Sequence, residues 1–177
     1  VIVPVMAVGY VAGGLIIILN NLNLVIPALE LIFKDAFTGE AVAGGAIGAV
    51  IRYGVARGVF SNEAGVGSAP IAAAAAKTDH PARQGLVSMT GTFIDTIIVC
   101  SITGIVLVMG FIMAGNTFGN ETGAVLTTSV FDQLLPGVGG WVVTIGIIFF
   151  AYSTILGWCY YGEKCCTYIF GEKYVLI

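Results

Sequence analysis

The chain has 177 residues, of which 58% are hydrophobic and 10% charged, with a mean hydropathy of +0.99. Soluble domains carry about 25% charged residues, so seven basic and ten acidic side chains cannot clothe a water-exposed surface of this size. With a formal net charge of −3 and no basic cluster, the composition argues against a nucleic-acid binder, a disordered tail and an ordinary soluble enzyme.

Val1 opens the chain inside a hydrophobic run, without an initiating Met or a signal-peptide pattern. Tyr174-Val175-Leu176-Ile177 close it at the start of another. The sequence reads as an internal fragment of a longer membrane protein. Crossing about 30 Å of hydrocarbon takes about 20 predominantly apolar residues. Residues 1–29 carry no charge and form the first candidate span; Glu30, Lys34, Asp35 and Glu40 follow. Residues 41–76 are a second stretch, rich in Gly and Ala, holding Arg52, Arg57 and Glu63. A polar link, Lys77-Thr78-Asp79-His80-Pro81-Ala82-Arg83-Gln84, leads to a third stretch at residues 85–114, whose one charge is Asp95. Residues 115–140 are a polar connection with Glu121 and Asp132. Within it, Val125, Leu126, Ser129, Val130 and Gln133 recur at helical spacing, which predicts a short interfacial helix over residues 123–135 ended by Pro136. Residues 141–162 are an uncharged fourth span, with Glu163 and Lys164 just beyond.

Only helices and closed barrels satisfy the backbone in lipid, and these runs are far longer than the ~10-residue alternating strands of a barrel. The expected class is an all-α, polytopic transmembrane bundle, a single region over residues 1–177. Lys77 and Arg83 after the second span, and Lys164 and Lys173 near the C-terminal end, place both on the cytoplasmic side by the distribution of positive charge.

The second span is the most informative. Its 36 residues would make a helix of about 54 Å, well beyond one crossing. Gly58, Gly65, Gly67 and Pro70 surround the polar Ser61-Asn62-Glu63. The pattern predicts two half-helices joined by unwound backbone, tolerated at membrane depth only inside protein or along a cavity. In secondary transporters such breaks form substrate and ion sites. A half-helix starting at residues 64–68 would turn its first amides toward a carboxylate. Close helix packing through small residues is the plainer account of the glycines, but it gives no reason for Asn62 and Glu63 between them. Glu63 is equally readable as a structural partner of Arg52 or Arg57.

The run Arg57-Gly58-Val59-Phe60-Ser61-Asn62-Glu63-Ala64-Gly65-Val66-Gly67-Ser68-Ala69-Pro70-Ile71-Ala72 resembles the sodium:alanine symporter family. So do the polar link with Gly91-Thr92-Phe93-Ile94-Asp95-Thr96, and Ala151-Tyr152-Ser153-Thr154-Ile155-Leu156-Gly157-Trp158-Cys159-Tyr160-Tyr161-Gly162-Glu163-Lys164. The resemblance implies a leucine-transporter-like fold of two inverted five-helix repeats. This chain would be helices five to eight, the second span being the broken sixth helix and the remaining helices of the parent transporter its partners. Ser61, Asn62, Ala64, Gly65, Gly67 and Ser68 would then surround a small amino acid. Thr154 and Trp158, four residues apart on one helix face, would contact the same substrate. By the same resemblance, Ser153 and Thr154 would bind sodium, whose preference is for hard oxygen ligands. Back-bonding of these hydroxyls to helix carbonyls is the alternative.

In the third span Thr92 and Asp95 share a face at i, i+3. With Glu63 they are gating or ion-coupling candidates, since an ionisable group inside a span is a functional candidate by default. Asp95 is as readily a structural partner of Arg52 or Arg57. His80 lies in a polar loop, where a proton-coupling role is not expected. Asn20, Asn21 and Asn23 read as capping or bridging groups. Cys100, Cys159, Cys165 and Cys166 have neither metal-site nor disulfide spacing.

The leading expectation is a secondary transporter in the cell membrane, importing alanine or glycine with sodium, with no organic cofactor and no enzymatic activity. A channel pore segment and an amino-acid receptor on a transporter scaffold are the alternatives. A selectivity filter would need a ring of such segments, and a receptor would bind without flux.

Overall fold

The structure, a computed structural model, describes residues 2–37, 62–63, 65–115 and 121–171. The first half of the expected second span, with Arg52 and Arg57, lies outside the described residues. Every regular element among them is helical: α1 (Ile2–Asn20), α2 (Leu22–Phe37), α3 (Ala69–Ala73), α4 (Pro81–Phe93), a π-helical segment (Ile94–Cys100), α5 (Ser101–Ala114), α6 (Gly123–Leu134) and α7 (Gly139–Phe170). Val3–Asn20, Pro81–Ala114 and Gly139–Phe170 are long and apolar enough to cross a membrane.

Residues 1–29 are one uncharged run but not one helix. The chain breaks at Asn21, whose side-chain amide donates to the Ile17 carbonyl at 2.9 Å. Asn competes for backbone groups in this way, and an apolar run conceals it. Beyond the break α2 carries Pro27 in its interior and buries Ala28 completely.

α4, the π segment and α5 form one continuous rod. His80 caps its start, Nδ1 accepting from the Ala82 amide at 3.2 Å, and Pro81 occupies the first turn, where its missing N–H has no cost. The rod therefore begins ahead of the apolar run, at the polar link. It ends at Ala114, with Gly115 left-handed at φ 56°. α6 spans twelve residues and stops two residues before Pro136.

α7 runs 32 residues, about 48 Å at 1.5 Å per residue. It passes through Glu163 and Lys164 rather than ending there. Charge marks where the apolar surface stops, but Glu and Lys are good helix formers, and Gly171 (φ 81°) is what terminates the helix.

Ile17, Val106, Met109, Val130, Phe131 and Val143 are fully or almost fully buried where α1, α5, α6 and α7 meet. Small residues permit that approach. The Ile102 side chain occupies the space a Cβ on Gly14 would need, and Val142 lies 2.9 Å from such a position on Gly13. A polar tie crosses the same core. Thr103 Oγ1 donates to the Val99 carbonyl at 2.8 Å, which leaves it to accept from Tyr10 OH at 2.8 Å. The Tyr10 ring stacks on Phe131, centroids 5.6 Å apart. Elsewhere large apolar groups are exposed, including Val5, Val8, Leu19 and Phe150, as suits faces meeting lipid or further helices.

A Cβ on Gly139 would collide with the backbone carbonyl of Phe131, which cannot swing aside. Gly139→Ala in the full-length parent should therefore destabilise by about 1–3 kcal/mol. Gly85→Ala, with nothing within 4 Å of its Cβ, should not. Thermal melts followed by size-exclusion recovery of the two variants check this.

Candidate functional site

Glu63 and residues 65–68 stand outside helical geometry. Gly65 and Gly67 take φ of 83° and 96°, conformations open to glycine. Glu63 also has positive φ, 55°, the one non-glycine residue to do so among those described. A left-handed residue with a Cβ costs about 1–2 kcal/mol and persists where surrounding contacts over-determine it.

Those contacts converge on a single oxygen. Ser68 Oγ donates to Glu63 Oε2 at 2.6 Å, and Tyr161 OH, from α7, donates to the same atom at 3.2 Å. Hydrogen bonds to a charged acceptor contribute about 1.5–3 kcal/mol each, enough to offset the strain. Ser68 is buried, 7% exposed. Its hydroxyl makes no bond capping the helix that follows. On the other side of the turn, Asn62 Nδ2 donates to Thr96 Oγ1 in the π segment at 3.0 Å. The turn is strung between two long helical rods.

A cleft of about 760 Å³ opens beside it. Its wall includes Asn62, Glu63, Gly65 and Gly67 from the turn, Thr92 and Asp95 from the rod, and Tyr161 from α7. Gln84, Ser88, Thr92 and Asp95 form a stripe of polar groups down one face of the rod. The π segment begins at Ile94, so Asp95 sits at its first turn; such insertions often re-aim side chains at functional sites. Asp95 and Gly91 also border a second cavity of about 440 Å³, mostly apolar, reaching Tyr10 and Phe150.

Six of the sequence candidates thus share one cleft: Asn62, Glu63, Gly65, Gly67, Thr92 and Asp95. Ser68 joins them through Glu63. Ser61 and Ala64 lie outside the described residues. Ser153, Thr154 and Trp158 do not line the cleft. Both hydroxyls donate to the Phe150 carbonyl, at 2.9 and 2.8 Å. Trp158 is half exposed and meets the Tyr161 ring edge-on at 5.8 Å. Thr154, Trp158 and Tyr161 fall at i, i+4 and i+7, one face of α7 with Tyr161 at its cleft end. That spacing was available in the sequence and points to Tyr161, as the i+4 repeat from Gln84 points to the polar stripe.

The half-helix expected after the break is much shorter than its sequence suggested. α3 holds five residues, and the bonds Ala75 N–Ala72 O (3.2 Å) and Ala76 N–Ala73 O (3.0 Å) tighten it to three-residue turns before Lys77. So short a helix has little dipole. An anion here would be held by turn amides and the Asn62 side chain rather than by a helix terminus. Among the described residues no three His, Cys, Asp or Glu side chains cluster as a metal site.

The profile of the sodium:alanine symporter family matches residues 1–177. The chain belongs to that family. It is 60% identical over 173 residues to the sodium/alanine symporter AgcS of Methanococcus maripaludis, covering 98% of this chain and 38% of that protein. It is 41% identical to the probable sodium/glutamine symporter GlnT of Bacillus subtilis, over 92% of this chain and 33% of that one. It is 35% identical to the sodium/proton-dependent alanine carrier protein of Bacillus sp. (strain PS3), over 96% of this chain and 40% of that one. The chain therefore spans less than half the length of these relatives. The family is one of cation-coupled symporters, and its members are integral membrane proteins.

Removing the Ser68 hydroxyl leaves the Glu63 carboxylate one donor short at the one buried residue among those described in the turn. Ser68→Ala should cost about 1.5–3 kcal/mol, read as a melting-temperature drop of several degrees in the detergent-solubilised parent. An unchanged melt would show that the bond does not hold the turn.

Proposed function

We propose that this chain is one transmembrane region of a secondary active transporter that imports a small neutral amino acid, alanine or glycine, with sodium across the cell membrane. The observation that carries the reading is the cleft at the helix break, where Asn62, Glu63, Gly65 and Gly67 meet Thr92 and Asp95. Such a cleft offers an amino acid both halves of its zwitterion. Amides of residues 65, 67 and 68 and the Asn62 side chain would hold the carboxylate, the Val66 amide being taken by the Glu63 carbonyl, and Ser61 and Ala64 would contribute to substrate binding. Glu63 and Asp95 supply negative charge for the ammonium group or for a coupled cation.

Thr154 would contact the substrate from α7, and Trp158 would wall off a small side chain. Ser153 and Thr154 are the sodium ligands in this reading. Each donates its proton to the Phe150 carbonyl, which leaves oxygen lone pairs available to a hard cation. Sodium can drive the cycle only by its differential affinity for the outward- and inward-open states, so a site bridging α7 and the broken segment is where coupling would act. The substrates in the relatives' names, alanine and glutamine, are consistent with common recognition of the backbone zwitterion and a side-chain wall that varies.

Radiolabelled alanine uptake into proteoliposomes of the full-length parent tests the proposal. An inward sodium gradient should raise the initial rate at least ~10-fold, the scale of a 1.4 kcal/mol bias. Asn62→Ala should abolish uptake, and Thr154→Ala should weaken it. Uptake that follows pH and ignores sodium would discard the sodium site. Binding without flux would support a receptor, and unitary conductance a channel.

A further inference from the structure

We propose that Tyr161 is a positioning residue for the cleft: its hydroxyl holds the Glu63 carboxylate, keeps Glu63 in its left-handed conformation and so fixes the turn that carries Asn62 and the glycine amides. This inference rests on the reading of the cleft as an amino-acid site.

The Glu63 carboxylate oxygen receives two hydrogen bonds of different kinds. The one from Ser68 spans five residues and shapes the turn internally. The one from Tyr161 spans 98 residues and ties the turn to α7, a 32-residue helix outside it. A local bond can preserve the shape of a turn while the whole turn shifts; a bond to a separate rod sets where it stands. The Tyr161 hydroxyl is itself well placed to do this. Its ring lies edge-on to Trp158 at 5.8 Å and to Tyr160 at 6.4 Å, so packing on α7 fixes the phenol before it reaches Glu63.

The opposite end of the turn is tied by Asn62 to Thr96. Tyr161 and Thr96 therefore hold adjacent residues, Glu63 and Asn62, from two different rods. Between them they set the width of the cleft where Asn62, Glu63 and Asp95 face it. Loss of the Tyr161 tie should leave the protein folded, since the ring packing remains, while the turn relaxes and binds its ligand less well.

Tyr161→Phe deletes the hydroxyl and keeps the ring. Hydrogen exchange read by mass spectrometry on the full-length parent should show faster exchange confined to residues 62–68, by about ten-fold, the factor that loss of one hydrogen bond to a charged acceptor implies. In a Glu63→Gly background, which lacks both the carboxylate and the left-handed penalty, Tyr161→Phe should change exchange no further. In sodium-driven alanine uptake, Tyr161→Phe should raise KM about three- to ten-fold with kcat held within about two-fold, the signature of lost binding rather than lost turnover.

Unchanged exchange at residues 62–68, or a rise spread evenly over the chain, would overturn the assignment. So would an equal effect of Tyr161→Phe in the Glu63→Gly background, or a KM that does not move. Should the wild-type parent take up no amino acid, the transport reading fails, and the exchange measurements alone decide whether Tyr161 positions the turn.

Discussion

The backbone of Glu63 and of residues 65–68 must be satisfied without a helix, and the geometry of the cleft depends on how that is done. In a chain built for lipid, an irregular segment is tolerated only inside protein or along a cavity. Here glycines at positions 65 and 67 take the conformations that a side chain resists, and the carboxylate of Glu63 gathers donors from Ser68 and Tyr161. The strain at Glu63 and the charge at the same residue are linked. A side chain without an acceptor oxygen there would lose the hydrogen bonds that keep the backbone left-handed, so the carboxylate oxygen is structural to the turn even where the residue also faces the cleft.

The helices around this turn are positioned by small residues and a few polar ties rather than by burial alone. Lipid tails are as apolar as a leucine, so helix faces gain little by choosing protein over lipid and associate through close packing and hydrogen bonds. Gly13, Gly14 and Gly139 bring backbones together at the core, and the Tyr10–Thr103 bond locks α1 to α5. The result is a firm end at α1, α5, α6 and α7, against which the turn is suspended by Asn62 and Glu63. In the proposed carrier such supports would stay in place while the segment that meets the substrate moves.

Much of this was legible in the sequence. The apolar runs gave the helical class, and Asn62 and Glu63 between glycines marked the break. The i, i+3 pair Thr92 and Asp95 marked the facing rod, and the motif around residues 57–72 marked the family. What escaped had physical reasons. Hydropathy does not register a single Asn that takes a helix carbonyl, so the break at Asn21 was hidden inside an uncharged run. It equates the end of apolar surface with the end of a helix, so α7 outlasted its estimate by passing through Glu163 and Lys164. The half-helix expected after the break is brief, since α3 stops at five residues. Tyr161 shares the helix face of Thr154 and Trp158, a spacing present in the sequence, but its meeting with Glu63, 98 residues away, is seen only in three dimensions.

The most direct measurement is an experimental structure of the full-length parent with alanine and sodium bound. The account predicts the alanine carboxylate within hydrogen-bond distance of backbone amides of residues 65, 67 and 68 and of the Asn62 side chain, with Tyr161 still bonded to Glu63. Alanine bound elsewhere, with the turn at residues 62–68 making no contact to it, would contradict the account.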